Sequence, residues 1–193
     1  NFALLVGVAL TAAILSGSLV VGDSVKESLR RNAAARIEGI GFAVVGGDRF
    51  FDQGLADRLG KHTNLNVVVA PIVQVLGTVA TPDGDVRDNG VQVVGVDERF
   101  WSLGGGGVPA FASGVKDGGL MVNEALAQRL GVKEGDTLVV SMEVPGELSK
   151  DAPLSGEADE TITLREKITA VVGKSGMGRY SLKAEQVPVS NVF

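Results

Sequence analysis

Residues 2–38 read FALLVGVALTAAILSGSLVVGDSVKESLRRNAAARIE, and the way this stretch divides decides the fold. From Phe2 to Val21 only Thr11, Ser16 and Ser18 are polar, and no residue before Asp23 is charged. All 18 basic and 23 acidic side chains lie beyond Gly22. A bilayer core about 30 Å thick needs roughly 20 mostly apolar residues in a helix, and Phe2–Val21 supplies them. A secretory signal would open on a basic region and end at a small-residue cleavage site followed by polar chain; here only Asn1 precedes the apolar run. The buried helix of a soluble protein would show a polar face, and this run has none. The stretch therefore reads as a membrane span. It begins without Met, as a piece of a longer protein would.

Within the span, Ala9, Ala13 and Gly17 recur every four residues. That spacing lines small side chains along one helix face, where a second helix can approach closely. After Gly22 the pattern changes. Val25, Leu29, Ala33 and Ile37 keep the four-residue spacing, while Lys26, Glu27, Arg30, Arg31 and Arg36 take the other faces. This is amphipathic helix periodicity, and no Pro interrupts it before Pro71. One continuous helix over 2–38 would be about 55 Å long. About 30 Å of it would cross the membrane, and the rest would project as a stalk until Gly39 and Gly41 stop it.

The remaining residues, 39–193, read as a mixed α/β domain. Ile40–Val45 suits a short strand. Asp52 can cap a helix carrying Leu55 and Leu59. Leu65–Val79 is rich in Val and Ile and is interrupted by Pro71, which favours an edge or a bend. Thr81-Pro82-Asp83-Gly84 is a turn, since Pro presets one dihedral and Gly permits the other. With Val91–Val96 it makes a β-hairpin. The four glycines 104–107 read as a loop. Leu120–Val122 is a short strand, Asn123 an N-cap, and Ala125–Leu130 a short helix ended by Gly131. Glu134-Gly135-Asp136 turns the chain into a strand at Thr137–Val140. Residues 149–160 are acidic and polar, as an exposed loop would be. In 161–172, Ile162, Leu164, Ile168, Ala170 and Val172 alternate with polar residues and define one strand face. Glu166 interrupts that face, as an edge charge or as the end of its buried part.

The composition excludes several classes of function. With no Cys there is no disulfide scaffold and no thiolate metal site. The single His62, in a polar Lys61–Asn64 stretch, reads as a surface loop residue. A net charge of −5 argues against a nucleic-acid groove. Gly173-Lys174-Ser175 resembles the end of a phosphate-binding loop, yet Ile168 stands where that loop needs Gly. The nucleophile-elbow pattern fails at Met177, and the dinucleotide fingerprint fails at Val44. The acidic pairs Asp83/Asp85 and Asp159/Glu160 read as solvated loops, with no 12-residue calcium loop around them. Phe100 and the only Trp, Trp101, read as an apolar anchor in the core or at a joint between lobes.

Several stretches, in order, resemble one family. Residues 18–25 (SLVVGDSV), 95–101 (GVDERFW), 122–127 (VNEALA) with Leu130-Gly131-Val132 and Gly135-Asp136, 176–182 (GMGRYSL), and Asn191-Val192-Phe193 are similar to the extracytoplasmic part of ABC-transporter permeases of the MacB/FtsX type, including the MacB-like periplasmic core. The resemblance spans nearly the whole chain and rests on the order of stretches that are individually modest. It implies an α+β fold in which a transmembrane and stalk helix (1–38) precedes an extracytoplasmic domain (39–193). That domain would be a porter-like lobe with a second small lobe inserted at about 81–160. It implies a non-catalytic, cofactor-free permease subunit in a bacterial cytoplasmic membrane. Its partners would be membrane lipid, a cytoplasmic ABC ATPase subunit and further permease copies or homologues. Its function would be mechanotransmission of ATP-driven motion to an extracytoplasmic substrate or partner, as in export or lipoprotein and peptide handling. The alternative is a membrane-anchored sensor or solute-binding ectodomain. An anchored enzyme is weakest, since no acid–base or nucleophile set stands out.

Overall fold

The computed structural model describes residues 1–37, 39–47, 50–62, 67–104, 109–112, 119–143, 161–175, 177–183 and 187–193. They form two compact units, Asn1–Arg36 and Ile37–Phe193.

The first unit is one α-helix, α1, Phe2–Ala34. None of its residues is buried. Its C-terminus lies earlier than the sequence periodicity suggests. The Ala35 N–H still bonds the Arg31 carbonyl at 2.9 Å, but the Arg36 N–H turns to Ala33 at 3.1 Å and the Ile40 N–H to Ile37 at 2.8 Å. The ladder thus tightens into three-residue turns, a common way of satisfying the last carbonyls. Gly39, at φ +75°, completes the exit. Val25, Leu29 and Ala33 keep their spacing on the helix, whereas Ile37 falls beyond its end and belongs to the second unit.

The second unit is α+β. Strands β1 (Ile72–Ala80), β2 (Arg87–Val96), β3 (Leu120–Asn123), β4 (Thr137–Glu143), β5 (Thr161–Val172) and β6 (Asn191–Val192) close a barrel in the order β1-β2-β6-β3-β5-β4. Helix α2 (Gly54–His62) precedes β1, α3 (Glu98–Ser102) lies between β2 and β3, and α4 (Glu124–Leu130) between β3 and β4. β1 and β2 form the hairpin that Thr81–Gly84 announces, with register Ile72↔Val96 through Ala80↔Arg87. Pro71 stands directly before β1, where a missing N–H costs no ladder bond. β4 pairs antiparallel with β1 and β5. β3 runs parallel to β5. β6 is inserted between β2 and β3, parallel to one and antiparallel to the other. The strands within 81–160 are therefore staves of the same barrel as β1, β5 and β6.

Two apolar clusters lie on opposite sides of the barrel wall. One draws on all six strands, through Val79, Val91, Val122, Val140, Ile168 and Val192 among others, and so fills the interior. Leu126, Ala127 and Leu130 of α4 pack into it. Each fully buried Val or Leu contributes about 1.5–3 kcal/mol, so this cluster is the main stabiliser of the unit. The second cluster covers the outer wall, with Val94, Met121 and Val172 under Phe100, Trp101, Met177 and Tyr180. β3, buried along its whole length, serves both. Leu120 and Val122 face inward and Met121 outward, as the two-residue strand period requires.

β5 departs from simple alternation. Leu120 pairs with Ile168 but Met121 with Ala170, so Thr169 is an extra residue in β5. A bulge of this kind reverses which face later residues occupy. Ile168 and Val171 consequently join the interior cluster, and Ala170 and Val172 the outer one. The expected common face of Ile162, Leu164, Ile168, Ala170 and Val172 is thus split at Thr169. Ile162 and Leu164 lie exposed, and burial begins only at Ile168, after Glu166. Ile40–Val45 is not a strand: among the described residues it has no ladder partner, and Phe42 is 98% exposed. Apolar character alone supplies no ladder partner.

Candidate functional site

Two features stand apart from ordinary core packing: the uncovered apolar helix, and a polar seam where β6 closes the barrel.

α1 has the length and composition to cross a membrane. None of its most apolar 18-residue window is buried. Ala9, Ala13 and Gly17 occur on it at four-residue spacing, all exposed, and a Cβ added at Gly17 would meet nothing within 4 Å. Farther along, Val25 and Leu29 are exposed, and Arg31 pairs with Glu27 at 2.8 Å. That pair is solvent-facing and contributes only a few tenths of a kcal/mol.

Phe100 and Trp101 lie in α3, which Asp97 caps by accepting the Arg99 N–H at 2.9 Å. Phe100 packs edge-on against Trp101 (5.1 Å between ring centroids) and Tyr180 (5.2 Å). Trp101 stands edge-on to Phe111 (5.4 Å) and contacts Phe193 at 5.1 Å. These rings belong to one compact unit, and Phe100 and Trp101 anchor its outer cluster. Burial raises the Tyr180 phenol above its ordinary pKa, because the phenolate would lose hydration. Arg99 ties α3 to α2. Its guanidinium donates to Asp97 and Asp57, both at 2.7 Å, and the two carboxylates raise its pKa.

The polar seam is built around Asn123. Its Oδ1 accepts the Leu126 N–H (3.0 Å), capping α4, and the Asn191 N–H (3.1 Å), seating β6. Its Nδ2 donates to the carbonyls of Gly178 (3.0 Å) and Val189 (2.7 Å). Asn191 donates to the Tyr180 carbonyl at 2.8 Å, and Gln92 to Ser181 Oγ at 3.3 Å. Both are almost wholly buried, and among the described residues their oxygens, Gln92 Oε1 and Asn191 Oδ1, have no hydrogen-bond partner. At the rim, Arg129 donates to Asp88 (3.2 Å), Ser190 (3.1 Å) and the Pro188 carbonyl (3.1 Å). Ser190 in turn donates to Asp88 at 2.7 Å.

The chain matches no known family model and no curated protein sequence. Its functional reading therefore rests on these features.

Sequence reasoning finds Asn123 as a cap but misses its second bond and the whole seam. The partners are 55–68 residues away, and no local pattern announces them. His62 is the last residue of α2, exposed, and not in a loop. Asp83 sits in the β1–β2 turn, where a hydrogen bond from Thr81 lowers its pKa. Among the described residues no group of three or more His, Asp or Glu side chains could hold a metal ion. Asp159, Glu160 and glycines 105–107 lie outside the described residues.

Proposed function

We propose that the chain is the extracytoplasmic domain, with its membrane helix, of an ABC-transporter permease subunit of the MacB/FtsX type. One observation carries this reading. α1 continues without a break for 12 residues beyond Gly22, past the end of its charge-free segment, and so extends about 18 Å farther than the span requires. A helix is stiff along its axis, and one that emerges from the bilayer can carry displacement outward. The apolar part of α1 would lie among lipid, and its Ala9–Ala13–Gly17 face would pack on a neighbouring permease helix. The second unit would be extracytoplasmic and porter-like, acting on a substrate or partner there. ATP hydrolysis would belong to a cytoplasmic ATPase, a separate subunit or a fused domain, leaving this chain the non-catalytic transmitter. The order of the family-like stretches supports the reading. Four of them form parts of the barrel unit: α3, the β3–α4–β4 unit, the Met177–Leu182 segment and β6.

A flexible Gly-Ser insertion after Arg31, in the full-length protein in its own membrane, tests it. ATP turnover is expected to continue while transport stops. Unchanged transport would refute mechanotransmission, and absence of ATPase activity, from a fused domain or a co-purifying subunit, in the full-length protein taken from solubilised membranes would refute the permease assignment.

A further inference from the structure

β6 is the shortest stave of the barrel. Its ladder consists of Gln92↔Asn191 and Val93↔Val192 on one side and Val122↔Val192 on the other. By contrast, nine residue pairs join β1 to β2, and seven join β4 to β5. Other ties on Val187–Phe193 include the Gln92 N–H to Ser190 (2.9 Å), the reciprocal Met121–Phe193 bonds (2.9 and 2.7 Å), the Asn123 side chain, the Asn191 side-chain amide to the Tyr180 carbonyl, and Arg129 at the rim, with Val192 in the interior cluster and the Phe193 ring against Phe100 and Trp101. Its seat is imperfect: Gln92 and Asn191, which are register partners, each keep a buried acceptor that no donor among the described residues meets. A buried unpaired acceptor loses its hydration and regains it only when the site opens.

We infer that Val187–Phe193 is a releasable strap. It leaves the slot between β2 and β3 as a unit while the β1–β2 and β4–β5 hairpins stay folded, and its departure frees one edge of β2 and one of β3. The local ladder is short enough, and its seat unsatisfied enough, for this opening to lie below global unfolding. The inference rests on the barrel alone, so its failure would leave the membrane reading untouched.

Amide hydrogen exchange on the full chain in detergent micelles tests it. The amides of Gln92, Met121, Asn191 and Phe193 should exchange as a group, at least about tenfold faster than those around Val79 and Val140. A single common rate would overturn the strap. Arg129→Ala removes the rim ties and should speed the four strap amides alone, by about three- to tenfold. Equal acceleration of the β1 and β4 amides, or none anywhere, would also overturn it. The chain has no Cys, so Val122→Cys with Val192→Cys, which are register partners, can place one disulfide across the seam. Oxidised, this variant should slow the strap amides to the barrel rate, and reduction should restore them; identical rates in both states contradict the strap. If the double variant fails to fold, the wild-type and Arg129→Ala measurements decide.

Discussion

Asn123 Oδ1 caps helix α4 through the Leu126 N–H and seats strand β6 through the Asn191 N–H, at 3.0 and 3.1 Å. One buried oxygen thus links the start of a helix to the closure of the barrel, 68 residues away along the chain. Asn123→Ala removes the cap, takes the donor from the Val189 carbonyl, and leaves the Gly178 carbonyl only the longer bond from Asn191 at 3.5 Å. The expected loss is about 3 kcal/mol, from a cap near 1 and buried unpaired groups at 1–3. Chemical denaturation followed by Trp101, the only Trp, measures it. Asn123→Ser, which retains a short cap acceptor, should lose less.

Phe100 is fully buried and meets Trp101, Tyr180 and Phe193. Phe100→Ala should cost about 3–5 kcal/mol, as large-to-small changes of buried aromatics do. Phe100→Leu should recover more than half of that. Equal losses in the two variants would mean that ring geometry, and not volume, dominates at this position.

Gly77 stands where the β1–β2 ladder shifts register, and it pairs with Met142 of β4. A Cβ there would lie 2.8 Å from the Ser141 carbonyl oxygen and 3.1 Å from Val93 Cγ2. Both neighbours are held by the barrel, so Gly77→Ala should destabilise by about 2 kcal/mol, in the range for overpacking. At Gly131 the reason for glycine differs. It ends α4 at φ +66° with open space around a Cβ, so Gly131→Ala should cost about 1 kcal/mol from backbone strain alone. Thermal melts of both variants distinguish the two causes, because Gly131→Asn should recover most of the loss.

The Tyr180 phenol is raised in the folded state by burial. Above about pH 10 the unfolded chain ionises its tyrosine while the folded chain stays protonated. The unfolded state then binds fewer protons, so stability falls as pH rises through that range. Below about pH 9 this contribution is fully present. Tyr180 is the only Tyr, so phenolate absorbance in native and denatured protein gives both titrations directly. Tyr180→Phe should flatten this part of the alkaline stability curve.

Leu10 and Ile14 lie near the middle of the charge-free run. Arg at the centre of a spanning helix costs about 3 kcal/mol on the insertion scale. Leu10→Arg with Ile14→Arg should therefore release the chain from membranes on alkaline carbonate extraction, whereas the unaltered chain stays in the pellet. Equal extraction of the two would exclude a spanning role for α1.

The local elements were legible because their causes are local. An uncharged run of sufficient length makes α1, a Pro-Asp-Gly turn makes the β1–β2 hairpin, and Asn123 with Gly131 brackets α4. Legibility stopped wherever a residue's partner lay far along the chain. The barrel order, the bulge at Thr169 that reverses the inward face of β5, and the two-residue stave at Asn191–Val192 leave no periodic trace. A strand of two residues has no period to read, and a bulge mimics unbroken alternation. The amino-acid sequence alone determined an apolar helix leading into an α+β domain, since chain length, charge placement and turn chemistry act over a few residues. Only the tertiary structure decided that the staves close, and that Asn123, Asn191 and Gln92 meet at the seam, because buried hydrogen bonds between distant residues exist only once packing has brought them together.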